Sequence, residues 1–303
     1  MSESKAKNGK RRNGITRRGL IERAAGVSAV AAGTLGMPAL AAADDTVEKA
    51  VTKGRLKQSI PQWCFSKHWD IEQMCRIAKG LGMKSVELVS RKHWPTLKKH
   101  GLVCAMTNSH GIGKGMNDPD NHEMCIRKIR DSIDATAEAG FPNVITFTGN
   151  RNGIPDDEGM KNCVDGYKKV VGYAEKKGVT LCIEILNSRV NHPGYQGDHV
   201  DYCVEIMKKV GSPRLKLLFD IYHAQIMDGD IIRRIRQHKD YIGHYHTAGN
   251  PGRHELGEDQ ELNYPAIMRA IADTGFDGYV GQEFIPTGDP LKGLRQAVEL
   301  CDV

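Results

Sequence analysis

The chain of 303 residues is 40% hydrophobic and carries 43 Lys/Arg against 37 Asp/Glu, the proportions of a globular protein with one large domain or two small ones. No apolar run has the length of a clean membrane span. Residues 1–41 hold eight Lys/Arg and two Asp/Glu, which accounts for the whole formal charge of +6; residues 42–303 balance 35 basic against 35 acidic side chains, so net charge gives no reason to expect a nucleic acid partner.

The basic front end has a definite order: a charged stretch, then Thr16-Arg17-Arg18-Gly19-Leu20-Ile21, then the weakly apolar run AAGVSAVAAGTLGMPALAAA, then two aspartates. This resembles a twin-arginine signal over residues 1–41, with Ala39-Leu40-Ala41 as the cleavage site. The resemblance implies the twin-arginine export machinery as a partner, folding before crossing, and a periplasmic or otherwise extracytoplasmic destination. The alternative is a basic tail leading into an amphipathic helix, and Glu22 and Arg23 depart from the signal pattern. Residues 42–55 read as a polar linker. The eight cysteines are spread evenly with no Cys-x-x-Cys, and most fall in apolar periodic segments, so they read as small buried hydrophobes and not as a zinc site or a disulfide framework.

From residue 56 onward, short β-type runs alternate with helix-type segments. The strand candidates are SIPQWCF (59–65), KSVELVS (84–90), LVCAMTN (102–108), NVITFTG (143–149), VTLCIEIL (179–186), LKLLFD (215–220), YIGHYHT (241–247) and GYVGQEF (278–284). Between them the apolar period becomes helical, as in Met160, Cys163, Val164, Tyr167, Val171 and Ala174. Glycines mark the helix-to-strand returns in GLGMKSVE, AGFPNVIT, KKGVTLCI and TGFDGYVG. The second helix, near WPTLKKHG, is short, and the loop SHGIGKGMNDPDN is long. Eight alternating pairs over residues 56–303 are the pattern of an α/β fold, a single-domain (β/α)8 TIM barrel. An open doubly wound sheet is the runner-up, without a Gly-x-Gly-x-x-Gly after its first strand.

In such a barrel the chemistry lies at the C-terminal strand ends. The last four strands end on Glu184, Asp220, His246 and Glu283, one ligand-type side chain per βα unit. Alternation then turns Cys182 and Thr180 inward with Glu184, sends Leu181, Ile183 and Ile185 toward the helices, and puts His244 on the face of His246 one layer deeper. Each residue alone has a plainer reading: Asp220 as a helix cap, Glu184 as a partner of Arg189, His246 as a core histidine, Glu283 as a solvated strand end. Four such coincidences at one level are harder to accept. Three carboxylates would repel and be driven to protonate, which a divalent metal prevents. Three oxygen donors and one imidazole suit Mn²⁺ or Mg²⁺, and also admit Co²⁺ or Zn²⁺.

The segments CIEILNSR, FDIYHAQ, IGHYHTAGNPGRHE, ELNYPAI and GYVGQEF together resemble the xylose isomerase-like barrel enzymes, in particular the hydroxypyruvate isomerases and their relatives. The resemblance implies a metal held by Glu184, Asp220, His246 and Glu283, with the two glutamates on opposite sides of the substrate as acid and base. It implies substrate contacts for His223 and Arg253, and marks Glu261 as a further substrate-side residue. Histidine at 246, where hydroxypyruvate isomerases usually carry glutamine, is more like the ketose 3-epimerases.

The expected activity is isomerisation of a small α-hydroxy carbonyl compound, a sugar or keto acid, by proton transfer through an enediolate. A ketose 3-epimerase or a sugar or inosose dehydratase would use the same site, and a non-catalytic sugar-binding barrel is the alternative from another class. An endonuclease-like relative is disfavoured by the balanced charge. A mature form free of the membrane is expected, and self-association is left open. Of the remaining polar residues, Glu87 reads equally as a pocket group or a salt-bridge partner. His110 and Lys114 read first as solvated loop residues, with a lid as the alternative, and Trp63 as core, with the pocket floor as the alternative.

Overall fold

The computed structural model describes residues 47–303. The proposed signal, 1–41, lies outside the described residues. Within the expected linker, residues 47–55 are packed: Ala50 and Val51 are buried, and their N–H groups donate to Leu81 O at 3.1 and 3.0 Å.

Seven parallel strands form one curled sheet: β1 Lys57–Pro61, β2 Ser85–Glu87, β3 Asn143–Thr146, β4 Thr180–Glu184, β5 Leu215–Asp220, β6 Ile242–Thr247 and β7 Tyr279–Gln282, in the order β2-β1-β7-β6-β5-β4-β3. Residues 102–108, expected as a regular strand, meet the two sheet edges only through isolated bridges, Val103 to Ser85 of β2 and Thr107 to Val144 of β3. The reason lies at Ala105, whose N–H donates to Ser85 Oγ (2.9 Å) and whose carbonyl accepts from Asn143 Nδ2 (2.9 Å). Side chains thus replace the ladder for one step, and the segment still closes the ring as its eighth stave.

Helices cover the outside. Helix 122–139 ends at Gly140 (φ 73°) and helix 171–177 at Gly178 (φ 71°), left-handed positions that turn the chain back into β3 and β4. Helix 94–99 is as short as expected, and residues 109–118 form a loop. Among the described residues no helix is long and apolar enough to cross a membrane.

The period-2 rule sorts the core into two clusters. Leu181, Ile183, Ile185, Leu217, Phe219 and Tyr245 pack between sheet and helices, whereas Met106, Ile145, Cys182 and Leu218 pack inside the ring with Phe147, Leu186 and Tyr195. All eight cysteines are free and buried.

The ends of the barrel segment are tied together by one carboxylate. Asp302 accepts from the N–H groups of Thr52 (2.6 Å), Lys53 (2.7 Å) and Gly54 (2.7 Å) and from Thr52 Oγ1 (2.9 Å). Burial by itself would raise this carboxyl, but the three backbone donors hold it below the usual range. Because its folded pKa is depressed, its contribution is complete above the unfolded value of about 3.9 and is lost as pH falls through the folded one. Asp302→Ala is expected to cost about 1–2 kcal/mol at neutral pH in urea denaturation, water replacing part of the lost bonding, with the difference from wild type shrinking in acid.

Candidate active site

Asp220 ends β5 and begins helix 221–227, and its two oxygens do different things. Oδ1 accepts from the His223 N–H (3.0 Å) and caps the helix, while Oδ2 is buried with no hydrogen-bond partner and faces the ring interior. The cap and the pocket ligand are therefore the same residue.

Glu184, Asp220, His246 and Glu283 present one donor atom each within 4.8 Å of one another, and none is more than 5% exposed. His246 Nδ1 stands 3.5 Å from Glu184 Oε1 and 3.0 Å from Glu283 Oε2. Its other nitrogen, Nε2, is 2.7 Å from Glu87 Oε1, which fixes a proton there and turns Nδ1 toward three carboxylates; burial opposes a second proton, but Glu283 and its neighbours push the imidazole well above its usual range when no cation is present. Three buried carboxylates gathered around one imidazole nitrogen hold more negative charge than a single proton there offsets, Asp220 Oδ2 and His246 Nδ1 both lack hydrogen-bond partners, and a divalent cation can take the place of that proton. The group fits a metal ion.

The electrostatics carry the same signature. Burial, reinforced by the charge of Glu283, pushes Asp220 up to about 8. Glu184 is raised for the same first reason. Burial also opposes ionisation of Glu283, but His246 and Arg253 override it and hold that carboxyl well below its ordinary value. Two glutamates in one ring are thus made unlike by their neighbours.

Arg253 completes the site from the loop after β6. Its Nη2 donates to Glu283 Oε2 at 2.6 Å and lies 3.8 Å from Asp220 Oδ2, and its guanidinium stacks over the rings of Trp63 (5.1 Å) and Tyr222 (5.7 Å). Its backbone is left-handed, φ 61°, a conformation that costs a side-chain-bearing residue about 1 kcal/mol or more. His223 is fully buried, and its Nδ1 accepts from the Asn187 N–H (3.1 Å), so Nε2 carries the proton. That N–H has no partner in the protein and sits 3.8 Å from Asp220 Oδ2. Burial first, then the charge of Arg253, pushes the imidazole well below its usual range and keeps it neutral.

Glu261 is not brought to the cluster. It is exposed, accepts from Asn250 Nδ2 (2.6 Å) and Gln225 Nε2 (3.2 Å), and braces the loop that carries Arg253. Arg189 is exposed and donates to Ile226 O, away from Glu184.

Two sequence readings are corrected and a third is resolved. Trp63 is not core: it is 41% exposed, because the chain leaves β1 directly into the helical turn 62–65 at the rim, where its Nε1–H donates to Glu283 Oε1 at 2.9 Å. His110 is not solvated: its loop folds back into the ring, where Nε2 meets Thr146 Oγ1 at 2.9 Å, although Lys114 is exposed as expected. Glu87, left between two readings, is a salt-bridge partner inside the site. Burial would raise it, but His244 and His246 hold it at about 2. Asn187, which orients His223, lay in the motif CIEILNSR without being singled out.

Residues 75–302 match the model of the xylose isomerase-like TIM barrel family. The chain belongs to that family. Among its relatives, the putative hydroxypyruvate isomerase of Xenopus laevis is 38% identical over 264 residues, 79% of this chain and 94% of that protein. The 2-oxo-tetronate isomerase of Cupriavidus necator is 37% identical over 145 residues, 46% of this chain and 55% of that protein. For some relatives, the human putative hydroxypyruvate isomerase among them, the match spans about half of their length, 47% in that case. The crystal structure of AP endonuclease, family 2, from Brucella melitensis superposes with a TM-score of 0.70 at 27% identity, covering 78% of this chain and 95% of that one.

Among the described residues Arg253 is the guanidinium paired with the acidic ring, through Glu283 Oε2. Arg253→Met is expected to lower the melting temperature of the metal-free protein and to enlarge the stabilisation produced by added divalent ions, both read by differential scanning calorimetry.

Proposed function

We propose that the chain is a divalent-metal-dependent isomerase of a small α-hydroxy carbonyl compound, a hydroxypyruvate-type keto acid or a sugar. The observation that carries this reading is the ring of Glu184, Asp220, His246 and Glu283 with its two unpartnered polar atoms, Asp220 Oδ2 and His246 Nδ1. Relatives named hydroxypyruvate isomerase and 2-oxo-tetronate isomerase support the substrate class. Three carboxylates and one imidazole favour Mn²⁺ or Mg²⁺, with Co²⁺ or Zn²⁺ also accommodated.

A bound divalent cation supplies Lewis-acid polarisation of the carbonyl and hydroxyl oxygens, which acidifies the C–H between them. The remaining work falls to the protein. Glu184 and Glu283 flank the reacting carbons, one removing the proton as the enediolate forms and the other, or the same one, returning it to the neighbouring carbon, while the hydroxyl proton passes to the former carbonyl oxygen. The neutral His223 offers its Nε2–H to a substrate oxygen. Arg253, released from Glu283, has a planar fork for a substrate carboxylate or distal hydroxyls. Trp63 and Tyr222 border this position and limit water.

A second reading, epimerisation at the carbon beside a ketose carbonyl, draws support from histidine at 246 and uses the same proton transfers. A panel of hydroxypyruvate, tetronates and ketoses in heavy water separates the two by product, while deuterium entering at carbon tests the chemistry they share.

Glu184→Gln and Glu283→Gln are each expected to lower kcat by about 10²–10⁴-fold or more at saturating Mn²⁺, with an unchanged circular dichroism spectrum. Near-normal turnover in either variant removes that glutamate from the mechanism.

The same proposal includes export through the twin-arginine route, with the cation acquired on folding before the chain crosses to an extracytoplasmic site. Its support is the order of residues 1–41. Replacing Arg17 and Arg18 together by Lys is expected to retain the protein in the cytoplasmic fraction, read by immunoblot, with activity intact there.

A further inference from the structure

Below the ring of four donors, and sharing His246 with it, lies a second acidic and imidazole group: Glu87 at the end of β2 and His244 on β6, neither of which the proposed chemistry uses. All three are 0% exposed. A single oxygen, Glu87 Oε1, accepts from His246 Nε2 at 2.7 Å and from His244 Nε2 at 3.0 Å. The two rings meet edge to face, 5.1 Å between centroids, so each limits the rotation of the other. With Nε2 protonated on both, His246 has only Nδ1 to offer upward.

The contact depends on a missing side chain. Gly281 of β7 pairs with His246 in the ladder and with Ser59 of β1 on its other side. A Cβ built on Gly281 would stand 2.6 Å from Glu87 Oε1 and 2.8 Å from His246 Cδ2. Real Cβ atoms do not approach so closely, so any larger residue there would push Glu87 and His246 apart. The barrel wall is left open at the one place where a carboxylate from β2 must cross to a histidine on β6.

We infer that Glu87, admitted by the gap at Gly281, is the positioning residue that locks His246 with its Nδ1 directed at Glu184, Asp220 and Glu283 and thereby sets the affinity of the ring for its cation. The inference rests on the proposed metal-dependent function and adds a residue at least two strands away from each of the four donors in sheet order. Outer partners of a metal-bound imidazole typically account for about 10–100-fold in metal affinity.

The test is calorimetric titration of the metal-free protein with Mn²⁺. The wild type is expected to take one ion per chain. Glu87→Ala should bind about 10–100-fold more weakly, and Glu87→Gln should recover part of the loss because its carbonyl oxygen still accepts from both rings. Gly281→Ala alters neither Glu87 nor any donor, yet should weaken binding by separating them; it and Glu87→Gln carry the test if Glu87→Ala does not fold. Asp302→Ala serves as the control for general loss of stability and should bind Mn²⁺ as the wild type does. Wild-type affinity in Glu87→Ala, or an equal loss in Asp302→Ala, overturns the inference while leaving the proposed function standing. Two ions in the wild type falling to one in Glu87→Ala overturns it in another way, by making Glu87 itself a ligand. A wild type that binds no ion overturns the proposed function and this inference together.

Discussion

The constraint on which the site depends is the crowding of negative charge where water is scarce. Glu87, Glu184, Asp220 and Glu283 are all buried at one end of the ring, and among the described residues Arg253 is the one guanidinium that pairs with them. At an effective dielectric of about 20, two carboxylates about 4 Å apart repel by about 4 kcal/mol, so such a group persists only with protons, imidazoles or a cation between its members. Each neighbour described here answers that requirement. Glu87 is offset by two imidazoles, Glu283 by Arg253 and Trp63, and Asp220 by a helix N-terminus on one oxygen alone. Asp220 Oδ2 is what remains unanswered, and its high pKa expresses that remainder.

The barrel makes this crowding affordable because its walls are stabilised independently of the site. The outward faces of β4, β5 and β6 bury leucine, isoleucine, phenylalanine and tyrosine against the helices, each such side chain contributing about 1.5–3 kcal/mol. The inward faces change character with depth: Cys182 and Leu218 are apolar, His244 lies with Glu87, and the donors stand above them. Strain and unsatisfied groups collect at the rim, where Arg253 adopts its left-handed backbone and His223 keeps an unpartnered N–H. Stability and chemistry are thereby assigned to opposite faces of the same strands.

Much of this was legible in the sequence, for a physical reason. A period of two fixes which residues of LLFD or GHYHT face inward, so the convergence of Asp220 and His246 follows once the strands are recognised. What escaped involved partners outside that pattern. Trp63 follows a strand that ends at Pro61, and nothing in SIPQWCF shows that the chain turns helical there and carries the indole over the rim. His110 belongs to a loop whose path back into the ring depends on Thr146, 36 residues on. The segment 102–108 reads as a strand because its own side chains suit one; its departure comes from Ser85 and Asn143, which compete for the backbone of Ala105. Glu87 illustrates the limit best: its distance along the chain from His246 is 159 residues, and only the closure of the ring makes them neighbours.

Gly281 carries the same lesson in the opposite sense. In GYVGQEF it stands two residues before Glu283, and by alternation it shares that residue's face. A strand position facing a barrel interior ordinarily bears a branched apolar side chain, since filling the ring is what stabilises it. A glycine there forfeits packing and weakens the strand, so its presence signals that something else occupies the volume. Here the occupants are a carboxylate oxygen and an imidazole edge, both polar and both buried, whose mutual hydrogen bond recovers what the missing side chain would have contributed. The ring therefore exchanges one apolar layer for a fixed imidazole, a substitution that makes physical sense only if the orientation of His246 matters more to this protein than the packing it replaces.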